Sequence, residues 1–133
     1  MSRVLGVDYG HKRVGLAVSD PLGITVRPLD VISSRTAVEV VGNLVKELEV
    51  GKIVVGLPTS LGGHEGASAE AARALGKEIQ EATGVQVVYH DERFTSRMAE
   101  SSLLEKGMKR RDRRKKLDKI AAAMILQDYL DNQ

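Results

Sequence analysis

Three carboxylates stand out by position. Asp8 closes the strand-like run Arg3-Val4-Leu5-Gly6-Val7, Glu92 follows the run Val85 to His90, and Asp118 lies in a helical stretch near the end of the chain. At helical spacing Asp118 shares a face with Ala121, Ala122 and Ile125, small and apolar residues that pack closely. A carboxylate on such a face needs a partner, because burying an isolated charge is very costly. Carboxylate oxygens suit hard divalent ions such as Mg²⁺ or Mn²⁺. Two such ions, about 3.5–4 Å apart, can activate a water and stabilise the leaving oxygen in phosphodiester cleavage. That chemistry needs converging acids and no histidine, cysteine or serine nucleophile. Each acid singly also has a local reading. Asp8 could cap the turn at Gly10, Glu92 could pair with Arg93 or Arg97, and Asp118 with Lys115 or with Arg114 at i−4. Convergence of all three beside a basic segment favours the metal site, with Asp91 and Asp20 as reserve candidates.

That basic segment is the second signal. Residues 106–119 hold nine bases and two acids, a local +7, whereas the rest of the chain carries eleven bases against sixteen acids. A positive stripe on an acidic body suits a polyanion contact, although a charged, solvated connector would look the same. Arg113, Arg114, Lys115 and Lys116 fall in the first turns of the expected last helix. Cations there oppose the helix dipole, at a cost of about 0.3–1 kcal/mol for a well-placed group, and a phosphate backbone would offset it. The expected nucleic-acid contacts are Lys109, Arg110, Arg111, Arg113, Arg114 and Lys115, joined by Arg13, Thr95 and Ser96 near the acids. Such contacts position a nucleic acid without reading its sequence. Either hydroxyl of Thr95-Ser96 could equally be a helix cap. Aromatic residues are limited to Tyr9, Tyr89, Phe94 and Tyr129, too few for a base-stacking platform. The glycine-rich loop Leu57–Gly66 lacks the Gly-Lys-Ser/Thr of a Walker A loop, and His11, His64 and His90 lack metal-site spacing.

The elements that must position these groups follow from periodicity. Strands are expected at 3–8, 14–19 and 24–32, the last interrupted by Pro28 and therefore an edge strand. Thr36-x-x-Glu39 reads as a capping box for a helix carrying Ala37, Val41, Leu44, Val45 and Leu48, closed by Gly51. Residues 52–56 form a short apolar strand of the kind buried on both faces. A second helix has Ser68 as N-cap, Ala72, Leu75, Ile79 and Ala82 inward, and Gly84 at its end, and 85–90 is a fifth strand. A third helix is expected from Thr95 or Ser96 to Gly107 and a last one from about 113 to 130. Right-handed crossovers make strands four and five parallel to the first. The result is an α/β domain with a mixed five-stranded sheet flanked by helices, and Asp8 and Glu92 emerge at one edge, where open α/β sheets hold their sites.

With 133 residues and 29% charged, a single domain spanning 1–133 is expected. No run is long and apolar enough for a membrane span, and Met1-Ser2-Arg3 leads into a strand without a signal peptide. Cysteine is absent, which excludes disulfides, thiol catalysis and Cys-ligated metals. A cytoplasmic protein with no membrane partner is expected.

Four runs in order, Gly6–Asp20, Val55–Pro58, Asp91–Ser96 and Leu117–Gln127, resemble the YqgF/RuvX family over essentially the whole chain. The resemblance implies a ribonuclease-H-like fold, similarity to Holliday-junction resolvases, and a nuclease processing the 5′ end of pre-16S rRNA in ribosome biogenesis. It implies Asp8, Glu92 and Asp118 as the catalytic, metal-binding acids with Mg²⁺ or Mn²⁺. In the wider superfamily the strand at 52–56 often carries the second acid. Here that strand ends in Gly56-Leu57-Pro58 and Glu92 supplies the acid one strand over. Rival readings are a resolvase of branched DNA, a small nucleotide-hydrolysing domain, and a non-catalytic RNA-binding assembly factor. Monomer and homodimer both stay open; a resolvase needs two sites and hence a dimer.

Overall fold

The computed structural model describes residues 2–58, 66–91 and 110–132, with 110–119 described through their backbone alone. The β-rich first third folds as expected. Strands β1 (Arg3–Asp8) and β2 (Arg13–Ser19) pair antiparallel, and β3 (Val26–Ser33) adds to β2 as an edge strand. Pro28 sits opposite Ala17, where the register shifts, which is how an edge accommodates a residue lacking an N–H. A 3₁₀ turn (Ser34–Thr36) leads into α1 (Ala37–Glu47), followed by β4 (Val50–Leu57), α2 (Ala67–Thr83), β5 (Gln86–Asp91) and α3 (Arg110–Asp131). The sheet order is β3-β2-β1-β4-β5, with β4 parallel to β1 and β5 parallel to β4. The helix expected between Thr95 and Gly107 lies outside the described residues.

Alternation along the strands divides the core into two layers. Leu5, Val7, Val14, Leu16, Val18, Ile53 and Val55 form one layer with Ala37 and Val41 of α1 and with Ala72, Leu75 and Ile79 of α2. Ala17 and Val54 form the other with Ala122, Ile125 and Leu126 of α3. Burying each large aliphatic side chain contributes about 1.5–3 kcal/mol. Ile53, Val54 and Val55 are all fully buried, because β4 is central and covered on both faces. Gly6 lets α3 approach the sheet: a Cβ there would lie 2.9 Å from the Leu126 Cβ and 3.1 Å from the Ala122 carbonyl oxygen.

Four local expectations are corrected. Thr36 is the N-cap of α1 but makes no capping bond; its Oγ1 donates to the Ser33 carbonyl at 3.3 Å, and the Ser33 hydroxyl accepts from the Arg35 N–H. The preceding 3₁₀ turn thus takes over the role expected of a capping box. Gly51 does not close α1. The helix ends at Glu47, Glu49 adopts the left-handed φ of 54°, and Gly51 belongs to β4, where a Cβ would collide with Ser2. Gly66, not Ser68, is the N-cap of α2, which leaves Ser68 exposed inside the helix. Ala82 is exposed because the buried stripe runs Ala69, Ala72, Gly76, Ile79 toward Thr83, whose hydroxyl donates to the Ile79 carbonyl at 2.8 Å. Gly84 closes α2 as expected, in the left-handed conformation with φ 74°.

Candidate active site

Asp8 is the last residue of β1 and is half-buried. Its cross-strand neighbours are Gly15 on β2 and Gly56 on β4, and the row continues from Gly56 to His90 on β5. Paired positions share a face of the sheet, so Asp8 has a glycine on each adjoining strand. Val4 belongs to the layer beneath α3, and the period of two carries Gly6 and Asp8 to that same face. The helix therefore crosses the face on which Asp8 stands, packing over β3, β2, β1 and β4. The Asp-x-Gly turn is tight for a specific reason: a Cβ at Gly10 would collide with the Arg13 carbonyl oxygen.

Of the other two acids, Asp118 lies on a described element. β5 runs parallel to β4 and ends at Asp91, level with Leu57, at the sheet edge where Asp8 lies. Glu92 itself lies outside the described residues. Asp118 is on the described backbone of α3, one turn before Ala122, whose carbonyl faces Gly6. One helical turn is about 5.4 Å and two strand residues span about 7 Å. Asp118 is thus one turn, and Asp8 two residues, from the same helix–strand contact. Among the described residues no group of three or more His, Cys, Asp or Glu side chains is placed to hold a metal ion.

The reserve acids do not join this row. Asp91 pairs with Leu57, which lies in the α1–α2 layer, so it occupies the opposite face from Asp8. Asp20 follows β2 at the far edge of the sheet. Its Oδ1 accepts the N–H groups of Ile24 at 2.7 Å and Thr25 at 3.1 Å, and these bonds, that from Thr25 foremost, hold its carboxyl below the ordinary range.

Among the expected nucleic-acid contacts, Arg13 opens β2 at the Asp8 edge and is exposed. Arg110, Arg111, Arg113, Arg114 and Lys115 lie on the first half of α3, while Lys109, Thr95 and Ser96 lie outside the described residues. Residues 59–65 of the glycine-rich loop are also outside them. Periodicity and spacing do not single out two other cations at this edge, Lys12 in the β1–β2 turn and Arg35 in the 3₁₀ turn. They give no hint either that His90 contacts Asp128, since 38 positions separate the two.

The donor chemistry fits a divalent cation. Carboxylates are the ligands Mg²⁺ and Mn²⁺ prefer, and the positions paired with Asp8 on both adjoining strands are glycines, which put no Cβ in its row.

A mixed sheet of this order, with a long helix laid across the face that carries the first-strand aspartate, is a ribonuclease-H-like fold. It is shared with Thermus thermophilus RuvC, solved in complex with a Holliday junction substrate, at a TM-score of 0.57 and 16% identity over 94% of this chain and 92% of that one. The chain belongs to the RuvX family, whose model, described as Holliday junction resolvase, matches residues 2–132. Similar proteins named "Putative pre-16S rRNA nuclease" occur in Lactococcus lactis, 43% identical over 98% of this chain and 94% of that protein, and in Streptococcus thermophilus, 45% identical over 97% of each. A Sulfurihydrogenibium protein of the same name is 40% identical over 98% of this chain and 91% of its own length. Among the described residues no helix is long and apolar enough to cross a membrane.

Proposed function

We propose that this chain is a single-domain, divalent-metal-dependent nuclease that hydrolyses phosphodiester bonds of structured nucleic acid, with the 5′ end of pre-16S rRNA as its substrate during ribosome biogenesis in the cytoplasm. The observation that carries the reading is the row Gly15–Asp8–Gly56 at the carboxyl edge of the parallel strands, crossed by the helix that bears Asp118. Membership of a family with nuclease-named relatives supports the substrate class.

In this reading Asp8, Glu92 and Asp118 hold Mg²⁺ or Mn²⁺. The bound ions supply activation of a water and stabilisation of the leaving oxygen at the scissile phosphate. The chain's own part is positional. β1 fixes Asp8 with extended backbone hydrogen-bonded on both sides, and Gly6 sets how near α3 lies to it. Arg13 and the cations of α3 attract and orient the phosphate backbone.

The test is cleavage of matched pre-rRNA, single-stranded DNA and four-way junction substrates with Mg²⁺, Mn²⁺ or chelator, comparing the wild type with Asp8→Asn. Metal-dependent cleavage that the substitution abolishes without lowering the melting temperature is expected. Cleavage that survives the substitution would reject the assignment. A second reading, a resolvase of branched DNA, is favoured by the description of the matching family model. Paired cuts in a four-way junction by a dimeric species would select it over the rRNA reading.

A further inference from the structure

We propose that Lys12 and Arg35 form a second phosphate-backbone contact, a cationic ledge that carries the nucleic acid away from Asp8 on the β2–β3 side. The inference rests on the nuclease reading and specifies where its substrate lies.

Lys12 and Arg35 stand 23 positions apart, in two different turns, and hydrogen bonds bring those turns together. The Ser34 N–H donates to the Lys12 carbonyl at 3.0 Å, and the Ser34 hydroxyl donates to the His11 carbonyl at 2.9 Å. The Ser33 hydroxyl accepts the Arg35 N–H at 3.3 Å, fixing the turn that presents Arg35. Pairing of Arg13 with Ser33 anchors both turns to the sheet at the edge where Asp8 lies. The two segments thus form one braced surface.

Both side chains are exposed, and among the described residues neither is paired with a carboxylate. Two cations presented together without a counter-charge raise the local potential and attract a polyanion. On the β2–β3 side of Asp8 stand Lys12, Arg13 and Arg35, and the basic first half of α3 belongs to the helix that packs over those strands. A phosphate backbone whose scissile group sits at Asp8 gains attraction by lying over these cations on the β2–β3 side.

The test is equilibrium binding by fluorescence anisotropy, in chelator so that no turnover occurs. Labelled stem-loop RNA and four-way junction DNA serve as separate probes between about 50 and 200 mM salt. The variant is the full chain with Lys12→Ala and Arg35→Ala together. A control of equal charge loss carries Lys46→Ala and Lys77→Ala, in the last turn of α1 and within α2. For at least one probe, the ledge variant should lower the slope of log affinity against log salt by about one unit or more, at about 0.7–0.9 for each phosphate that the protein ceases to neutralise. The control should keep the wild-type slope. A reduced slope with RNA alone, DNA alone or both identifies which backbone the ledge holds. An unchanged slope in the ledge variant, or an equal fall in the control, overturns the ledge and leaves the nuclease reading standing. Failure of the wild type to bind either probe overturns both.

Discussion

His90 at the end of β5 and Asp128 near the end of α3 meet Nε2 to Oδ2 at 2.5 Å, with the Tyr129 ring edge-on to the imidazole at a centroid distance of 6.1 Å. Beside them the Lys52 ammonium donates to the Tyr129 hydroxyl at 3.2 Å. These contacts pin the far end of α3 to β4 and β5. His90 is 20% exposed and Asp128 56%, so water screens the pair and limits its worth to about 1 kcal/mol. Asp128→Ala and His90→Ala should each lower the unfolding free energy by about that amount. In urea titrations the double variant should lose less than the sum of the singles, with a coupling of about 0.5–1 kcal/mol. Strictly additive losses would show that the contact contributes nothing.

Gly6 should be far less tolerant than its position in an ordinary strand suggests. A methyl group there meets the Leu126 Cβ and, at 3.1 Å, a backbone oxygen of Ala122 that cannot rotate aside. Gly6→Ala should therefore cost about 1–3 kcal/mol, the usual range for overpacking. Because the displaced element is the helix that bears Asp118, activity should fall further than stability explains. Ile79→Val, in the layer on the opposite face, should cost about 1 kcal/mol and keep its cleavage rate. Equal activities for the two variants, compared well below their melting temperatures, would disconnect the spacing of α3 from catalysis.

Asp91, which ends β5, and Glu92, next to it in sequence, should behave differently. Asp91 is in register with Leu57 and stands on the α1–α2 face, whereas Asp8 stands on the face under α3. Asp91→Asn should leave metal-dependent cleavage nearly intact. Glu92→Gln should lower it on the order of 100-fold or more, since a cation ligand supports several kcal/mol of transition-state stabilisation. The reverse ranking in single-turnover assays would move the second carboxylate of the site to Asp91.

The elements whose periodicity is set by burial are legible in the sequence. The centre of β4, Ile53-Val54-Val55, reads as an apolar run because both of its faces are covered, and Pro28 marks an edge because its nitrogen cannot join a ladder. Asp8 is legible for the same reason, as a charge ending an apolar strand. Local capping at Thr36, Gly51 and Ser68 is not. There two candidate caps lie within three residues of each other, Ser33 beside Thr36 and Gly66 beside Ser68, and periodicity does not choose between them, while Gly51 is set by Ser2, a neighbour that only the folded chain supplies. The ledge of Lys12 and Arg35 is equally hidden, because the Ser34 hydrogen bonds that join its two turns span 22 and 23 positions. Asp20 qualifies as a reserve ligand by residue type alone, and pairing direction sends it to the far edge.

Asp20 instead has a structural role with a pH signature. Its carboxylate accepts the Thr25 and Ile24 N–H groups, and the Thr25 bond is the largest cause of its lowered pKa. A proton binds such a group less readily in the folded chain than in the unfolded one, where the ordinary value of 3.8 applies. The ionised form therefore adds stability that is fully present above that ordinary value and is lost as the pH falls through the lowered folded value. Asp20→Ala removes both the charge and the acceptor. The variant should melt below the wild type at neutral pH, and the gap should narrow as the pH is taken below 3.8. A gap that stays constant through that acid range, measured in matched thermal scans, would mean that the carboxylate does not hold the β2–β3 connection in the way its hydrogen bonds indicate.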